Sequence, residues 1–230
     1  MVLFRAVFCA FYFVFLTCSS AFGETWRIAS LEWPPYSGSK LAGSGTAVEA
    51  LRSILKDQQI TLVVDFMPWP RAKTVAATED YVGYFPAWPE EVLSGFEPSL
   101  PITTSQIGII QHKNKQIAWT DLRDLFDNHK VGFVTSYVYP QAIQDLISEV
   151  YGQNSGEENE HDLARTLAAG RVDVAVTDPN VMMFVANELS LEGIEPNSRV
   201  LHQHPLVLAV AKKGNYQERI RVLNSAITAK

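Results

Sequence analysis

The sequence predicts an α/β fold, and three observations carry that prediction. β-Branched runs alternate with segments bearing helix start and stop signals, and the connections between them are short. No cysteine follows Cys18, so the chain beyond the first 23 residues must be held by packing and not by disulfides. The 207 residues that remain suffice to bury a core, as one large domain or two smaller lobes.

The elements follow in order. Residues 26–31 read as a first strand, and Trp33-Pro34-Pro35-Tyr36 with Gly38, Gly43 and Gly45 as a loop. Thr46 followed three residues later by Glu49 predicts a capping box and a helix over 47–56. Residues 60–66, continuous and β-branched, predict a buried strand. Pro70 suits the first turn of a short helix over 71–77. Strands follow at 82–85 and 106–110, a short helix at 122–126 and a strand at 130–134. Pro140 opens a helix running to 150, and the polar stretch 152–160 reads as an exposed loop. A helix over 163–169 ends at Gly170 as its C′ residue, and a strand covers 172–177. Asp178-Pro179 caps and starts a helix to 189. Two strands, 200–201 and 206–210, precede a last helix from 216.

The first 23 residues have the order of a secretory signal peptide: Arg5 early, an apolar run over 6–16, and Ala21-Phe22-Gly23 as a small-x-small cleavage site. The apolar run falls short of the roughly 20 residues that span a bilayer, which weighs against an uncleaved anchor. Phe15-Leu16-Thr17-Cys18 loosely resembles a lipoprotein box, but Thr17 fits it poorly. The expectation is cleavage after Gly23 and export from the cytoplasm. Losing Arg5 takes the formal net charge at pH 7 from −6 to −7. A mildly acidic chain without a basic cluster argues against nucleic acid and anionic lipid as partners.

Several residues carry candidate chemistry on their own terms. Asp178, before Pro at a helix start, is an N-cap or a buried anion that meets a cation. Thr135, Ser136 and Tyr137 lie between a strand and the helix opened by Pro140, where hydroxyls and free N–H groups hold anions or simply make a turn. Arg71 near a helix N-terminus opposes the dipole at a cost of about 0.3–1 kcal/mol, which suggests use against an anionic ligand unless it is merely solvated. Trp33, Tyr36, Trp69, Phe85 and Trp88 cluster at predicted loop ends, as cleft walls or as core. Gly43-Ser44-Gly45 lacks the third glycine of a nucleotide fingerprint. His202 and His204 alternate on one strand without a third metal ligand at useful spacing, which favours a hinge-surface role. Glu160-His161-Asp162 reads as a solvated helix start.

The motif order resembles the type II periplasmic solute-binding proteins of family 3, the amino-acid substrate-binding proteins of ABC transporters. Trp33-Pro34-Pro35-Tyr36, the segments 43–51 and 167–178, Val181-Met182-Met183-Phe184 and the segment 206–212 carry the likeness. The resemblance implies two lobes of mostly parallel sheet joined by two hinge strands: lobe 1 over 24–111 with 203–230 returning to it, and lobe 2 over 112–202. It implies an exported monomer that captures a small polar, amino-acid-like solute between the lobes and delivers it to a membrane permease, with no cofactor, no metal and no catalysis. A ligand-sensing receptor for a signalling partner and a periplasmic dehydratase are the alternatives on the same fold. By resemblance Asp178 meets the solute's ammonium group and the 135–137 loop meets its carboxylate. One departure matters. Aligning Phe96 with the family's aromatic puts Glu90 where the family has a carboxylate-clamping arginine, and Pro89-Glu90-Glu91 cannot clamp an anion, so either Arg71 has taken over the clamp or the ligand is not a standard α-amino acid.

Overall fold

The computed structural model describes residues 23–78, 80–149 and 155–230. The predicted leader lies outside the described residues except for Gly23. Among them the chain runs β1 (Thr25–Ser30), α1 (Thr46–Asp57), β2 (Thr61–Phe66), α2 (Trp69–Val75), β3 (Gly83–Ala87), β4 (Phe96–Pro98) and β5 (Thr103–His112). It continues through α3 (Leu122–Asn128), β6 (Val131–Val134), α4 (Gln141–Glu149), β7 (Ser155–Glu157), α5 (Glu160–Ala168), β8 (Val174–Thr177), α6 (Pro179–Glu188), β9 (Ile194–Ala211) and α7 (Tyr216–Thr228).

The strands follow the order β2-β1-β3-β9-β5-β8-β6-β7, with β4 also beside β9. In the first half β1 pairs in parallel with β2 and β3, and the end of β9 closes that half antiparallel to β3 and β4. In the second half β6 pairs in parallel with β7 and β8, and β8 runs antiparallel to β5. The long β5 and β9 pair with each other and carry the chain between the halves, with the register breaking around Gly108. Leu51 and Leu55 of α1 and Leu223 of α7 cover the first half; Leu163 and Leu167 of α5 and Val185 of α6 cover part of the second. Each fully buried aliphatic side chain contributes about 1.5–3 kcal/mol.

Four expectations are corrected. Segment 60–66 is not a centrally buried strand: β2 is an edge strand, and Val63 is exposed. Thr46 does not cap α1, because Gly45 holds the N-cap position without a side-chain bond and Thr46 instead donates to the Pro35 carbonyl. Gly45 is required there, since its φ is +101° and a Cβ would stand 2.5 Å from the Tyr36 carbonyl oxygen. The segment read as an exposed loop contains β7, which forms a parallel edge on β6. The two short strands near the C-terminus are one strand of 18 residues, β9. Other readings hold closely. Gly170 ends α5 at φ +67°, and Asp178 caps α6 by accepting from the N–H groups of Asn180 and Val181.

Candidate functional site

A cavity of about 180 Å³ lies between the halves. It opens where the carboxyl ends of parallel strands leave free loops, the usual position of a ligand site in such sheets. Leu31, Glu32 and Trp33 reach it from the end of β1, Trp69 from the start of α2, and Pro86, Trp88 and Glu91 from β3 and the turn after it. The second half contributes Ser136 and Tyr137 after β6, and Asn159 and Glu160 at the start of α5.

Hydrogen bonds fix these walls. The Trp69 indole donates to Glu91 Oε1 at 2.9 Å and the Trp88 backbone N–H to Glu91 Oε2 at 3.3 Å, while Lys73 stands 4.0 Å from the same carboxylate. Trp88 is buried, donates its indole N–H to Ser105 Oγ at 2.9 Å, and stacks on His204 with centroids 4.4 Å apart. The Trp33 indole crosses between the halves, donating to Tyr137 Oη at 2.7 Å and to Glu160 Oε1 at 3.3 Å. Trp33, Trp88 and Tyr137 meet edge to face, an arrangement worth about 0.5–1.5 kcal/mol per pair beyond burial.

Beside this cluster lies a second link between the halves. Asp178 is fully buried and accepts four hydrogen bonds: from Tyr36 Oη and the Gln106 N–H at 2.9 Å, and from the N–H groups of Asn180 and Val181 at 2.8 and 3.2 Å. Asn180 Nδ2 also donates to Tyr36 Oη. The place that resemblance reserves for a solute's ammonium group is filled here by the protein's own tyrosine hydroxyl.

Electrostatically the cavity is acidic. Burial pushes the carboxyls of Glu91 and Glu160 above the ordinary glutamate range, against the lowering effect of the indole N–H groups that each accepts. Asp178 is raised as well, again chiefly by burial. Glu90, with its side chain 46% exposed, faces away from this problem. Burial lifts its pKa, but the bond from His204 and the nearby imidazoles outweigh that and hold it below the usual range.

His204 is fully buried, with Nε2 at 2.9 Å from Glu90 Oε2 and Nδ1 unpartnered. The neutral tautomer that donates from Nε2 leaves only an unpaired acceptor, whereas protonation would orphan a buried N–H. Burial therefore holds the His204 pKa below 6.5 despite Glu90. A depressed folded-state pKa gives stability that is present above the unfolded value and is lost as the pH falls through the folded one. Urea unfolding at a series of pH values from 7.5 to 5 should show this loss in the native chain and not in His204→Phe. The raised Glu91, Glu160 and Asp178 act with the opposite sign at lower pH and are common to both proteins, so the difference between the two reports the His204–Glu90 pair. Equal pH profiles would refute it. His204 is therefore no hinge-surface residue, and among the described residues no group of three His, Cys, Asp or Glu is placed to hold a metal.

The sequence-based candidates thus divide. Trp33, Trp69, Trp88, Ser136 and Tyr137 line the cavity. Tyr36 and Asp178 form the neighbouring link, and Phe85 is wholly inside the core. Arg71 and Thr135 are exposed and do not line the cavity. The Thr135 N–H and hydroxyl both go to the Glu157 carbonyl, and the Ser136 hydroxyl goes to Glu158. Sequence reasoning missed Glu91 and Glu160 as lining groups. The signal for Glu91 lay in Pro89-Glu90-Glu91, read as unable to hold an anion. Glu160 follows the capping Asn159 and carries no local sign that it faces another half of the molecule.

Solved structures share this architecture. A histidine kinase sensor domain described as similar to periplasmic binding proteins matches with a TM-score of 0.71 at 20% identity, over 89% of each chain. An ancestral arginine-binding protein bound to arginine matches at 0.66 and 18%, over 89% of this chain and 91% of the other. The GluR0 ligand-binding core from Nostoc punctiforme with L-glutamate matches at 0.65 and 19%, over 89% and 92%. The fold is therefore the two-lobed, periplasmic-binding-protein-like one. No protein-family model and no curated protein matches the sequence.

Proposed function

We propose that this chain is a solute-binding receptor that closes its two lobes around one small molecule. The observation that carries the reading is the cavity itself, built from both lobes at the ends of their strands and crossed by the Trp33–Tyr137 bond. A solute that touches both walls favours the closed arrangement by its differential affinity for it. The leader-like first 23 residues and the family-3 motif order support an exported, periplasmic receptor that hands its solute to an ABC-type permease. A second reading, a sensor that passes its closed state to a membrane signalling partner, is favoured by the likeness to a histidine kinase sensor domain. Both readings assign binding, and not turnover, to the cleft.

Thermal unfolding of the purified chain over 24–230 with a library of amino acids, amines and small carboxylates tests this. A ligand at 100 times its Kd stabilises by about 2.7 kcal/mol, which raises Tm by roughly 5–10 °C for a chain of this size. The absence of any shift across the library overturns the receptor reading. Steady conversion of a library member to product would replace it with an enzymatic one.

A further inference from the structure

Building on the receptor reading, we propose that the cleft takes a small organic cation that lacks a carboxylate: an amine or alkylammonium ion, not a zwitterionic amino acid. Three features of the cavity converge on this.

The first is what the walls offer. Trp33, Trp69, Trp88 and Tyr137 supply aromatic surface, and Glu91 and Glu160 supply carboxylates from opposite lobes. Aromatic faces and carboxylates both attract a cation, and aromatic faces also accept its alkyl groups. Among the described residues that line the cavity there is no lysine, arginine or histidine. Lys73 stands outside the lining, 4.0 Å from Glu91 and 5.5 Å from the centroid of the Trp69 ring, so that part of the wall already has a cation at its back. Among the described residues no lysine or arginine pairs with Glu160: it accepts from the Trp33 indole, and the neighbouring His161, which acts on it only through space, is directed to Glu188 at 3.4 Å. A carboxylate set into a protein wall without a counter-charge is costly, and a bound ammonium ion would remove that cost.

The second is what the walls withhold. A solute carboxylate needs clustered donors. The position that resemblance gives to a clamping arginine holds Pro89-Glu90-Glu91, and Arg71 is exposed away from the cavity. The Thr135 amide and hydroxyl and the Ser136 hydroxyl bond to the carbonyls of Glu157 and Glu158. Asn159 spends its amide on Asp162, donating from Nδ2 to the carboxylate and accepting the Asp162 N–H. A carboxylate entering this cavity meets Glu91 and Glu160 instead.

The third is Asp178. Its four acceptor positions serve Tyr36, Gln106, Asn180 and Val181, so it is not free to receive an α-ammonium group. Both anchors of a standard α-amino acid are thus missing, while a site for an isolated positive charge is present.

Calorimetric titration of the chain with matched pairs tests this: agmatine against arginine, cadaverine against lysine, and phenethylamine against phenylalanine, with choline as a permanent cation and glutamate as an acidic control. At least one amine or choline should bind, each amine that binds should do so at least tenfold more tightly than its parent amino acid, and glutamate should not bind. Glu160→Gln, which keeps the shape of the side chain, should weaken that binding at least tenfold while the unliganded protein still melts cooperatively. Glu91→Gln should weaken it as well, which covers a failure of the first variant to fold. If an amino acid binds more tightly than its decarboxylated partner, or if both variants bind like the native chain, the cation assignment falls and the receptor reading stands. If nothing in the wider library binds, both fall.

Discussion

Replacing Asp178 by alanine is expected to destabilise the protein by about 3–7 kcal/mol, from loss of a helix cap plus donors left unpaired, and to lower its Tm by roughly 10 °C or more for a chain of this size. The carboxylate is fully buried, yet all four of its hydrogen bonds come from the protein. Removing it uncaps α6, a loss of about 1 kcal/mol in typical proteins. It also leaves the Gln106 N–H and the Tyr36 hydroxyl without their acceptor, at about 1–3 kcal/mol for each buried donor. Asp178→Asn should fall between the two proteins, since asparagine caps well but brings an amide where donors already point. Urea unfolding measures both variants. A change below 1 kcal/mol in the alanine variant would show that this link between the lobes is not a stabilising element.

The second large effect is expected at Trp88. Truncation to alanine should lose about 3–5 kcal/mol, the usual range for a buried tryptophan. This ring is buried, stacks on His204 and meets Trp33 and Tyr137 edge to face. It therefore ties the hinge strand β9 to the wall of the cleft. Trp88→Phe should retain much of the packing and lose only the indole bond to Ser105, a smaller penalty of about 0.5–1.5 kcal/mol before repacking. Denaturant unfolding of both variants ranks them. A phenylalanine variant as unstable as the alanine one would assign the effect to the hydrogen bond and not to the ring.

Much of the fold was legible because local signals agreed with it. The β-branched runs are strands, Gly170 has the positive φ that ends α5, and Asp178-Pro179 starts α6. The misses share a cause: the deciding contact came from far along the chain. Gly45 displaces Thr46 from the cap because the backbone must pass close to the Tyr36 carbonyl. Ser155–Glu157 contains no apolar side chain, and only the backbone of β6 makes it a strand. In β9 the polar run around His202 and Gln203 breaks the hydrophobic pattern where the strand passes between lobes and pairs with β5. Glu160 looks like any acidic residue in a first helical turn, and only the arrival of Trp33 from 127 residues away makes it a wall of the cleft.

The placement of β9 has a consequence for the order in which the molecule is assembled. Gly83 and Tyr84 pair with Val210 and Ala209, and β4 pairs with the same segment. A chain emerging from the ribosome therefore presents the first lobe's strands long before the segment that completes their sheet. The lobe begun first is finished last, and until residues 207–211 arrive, one side of the wholly buried β3 stays without its partner.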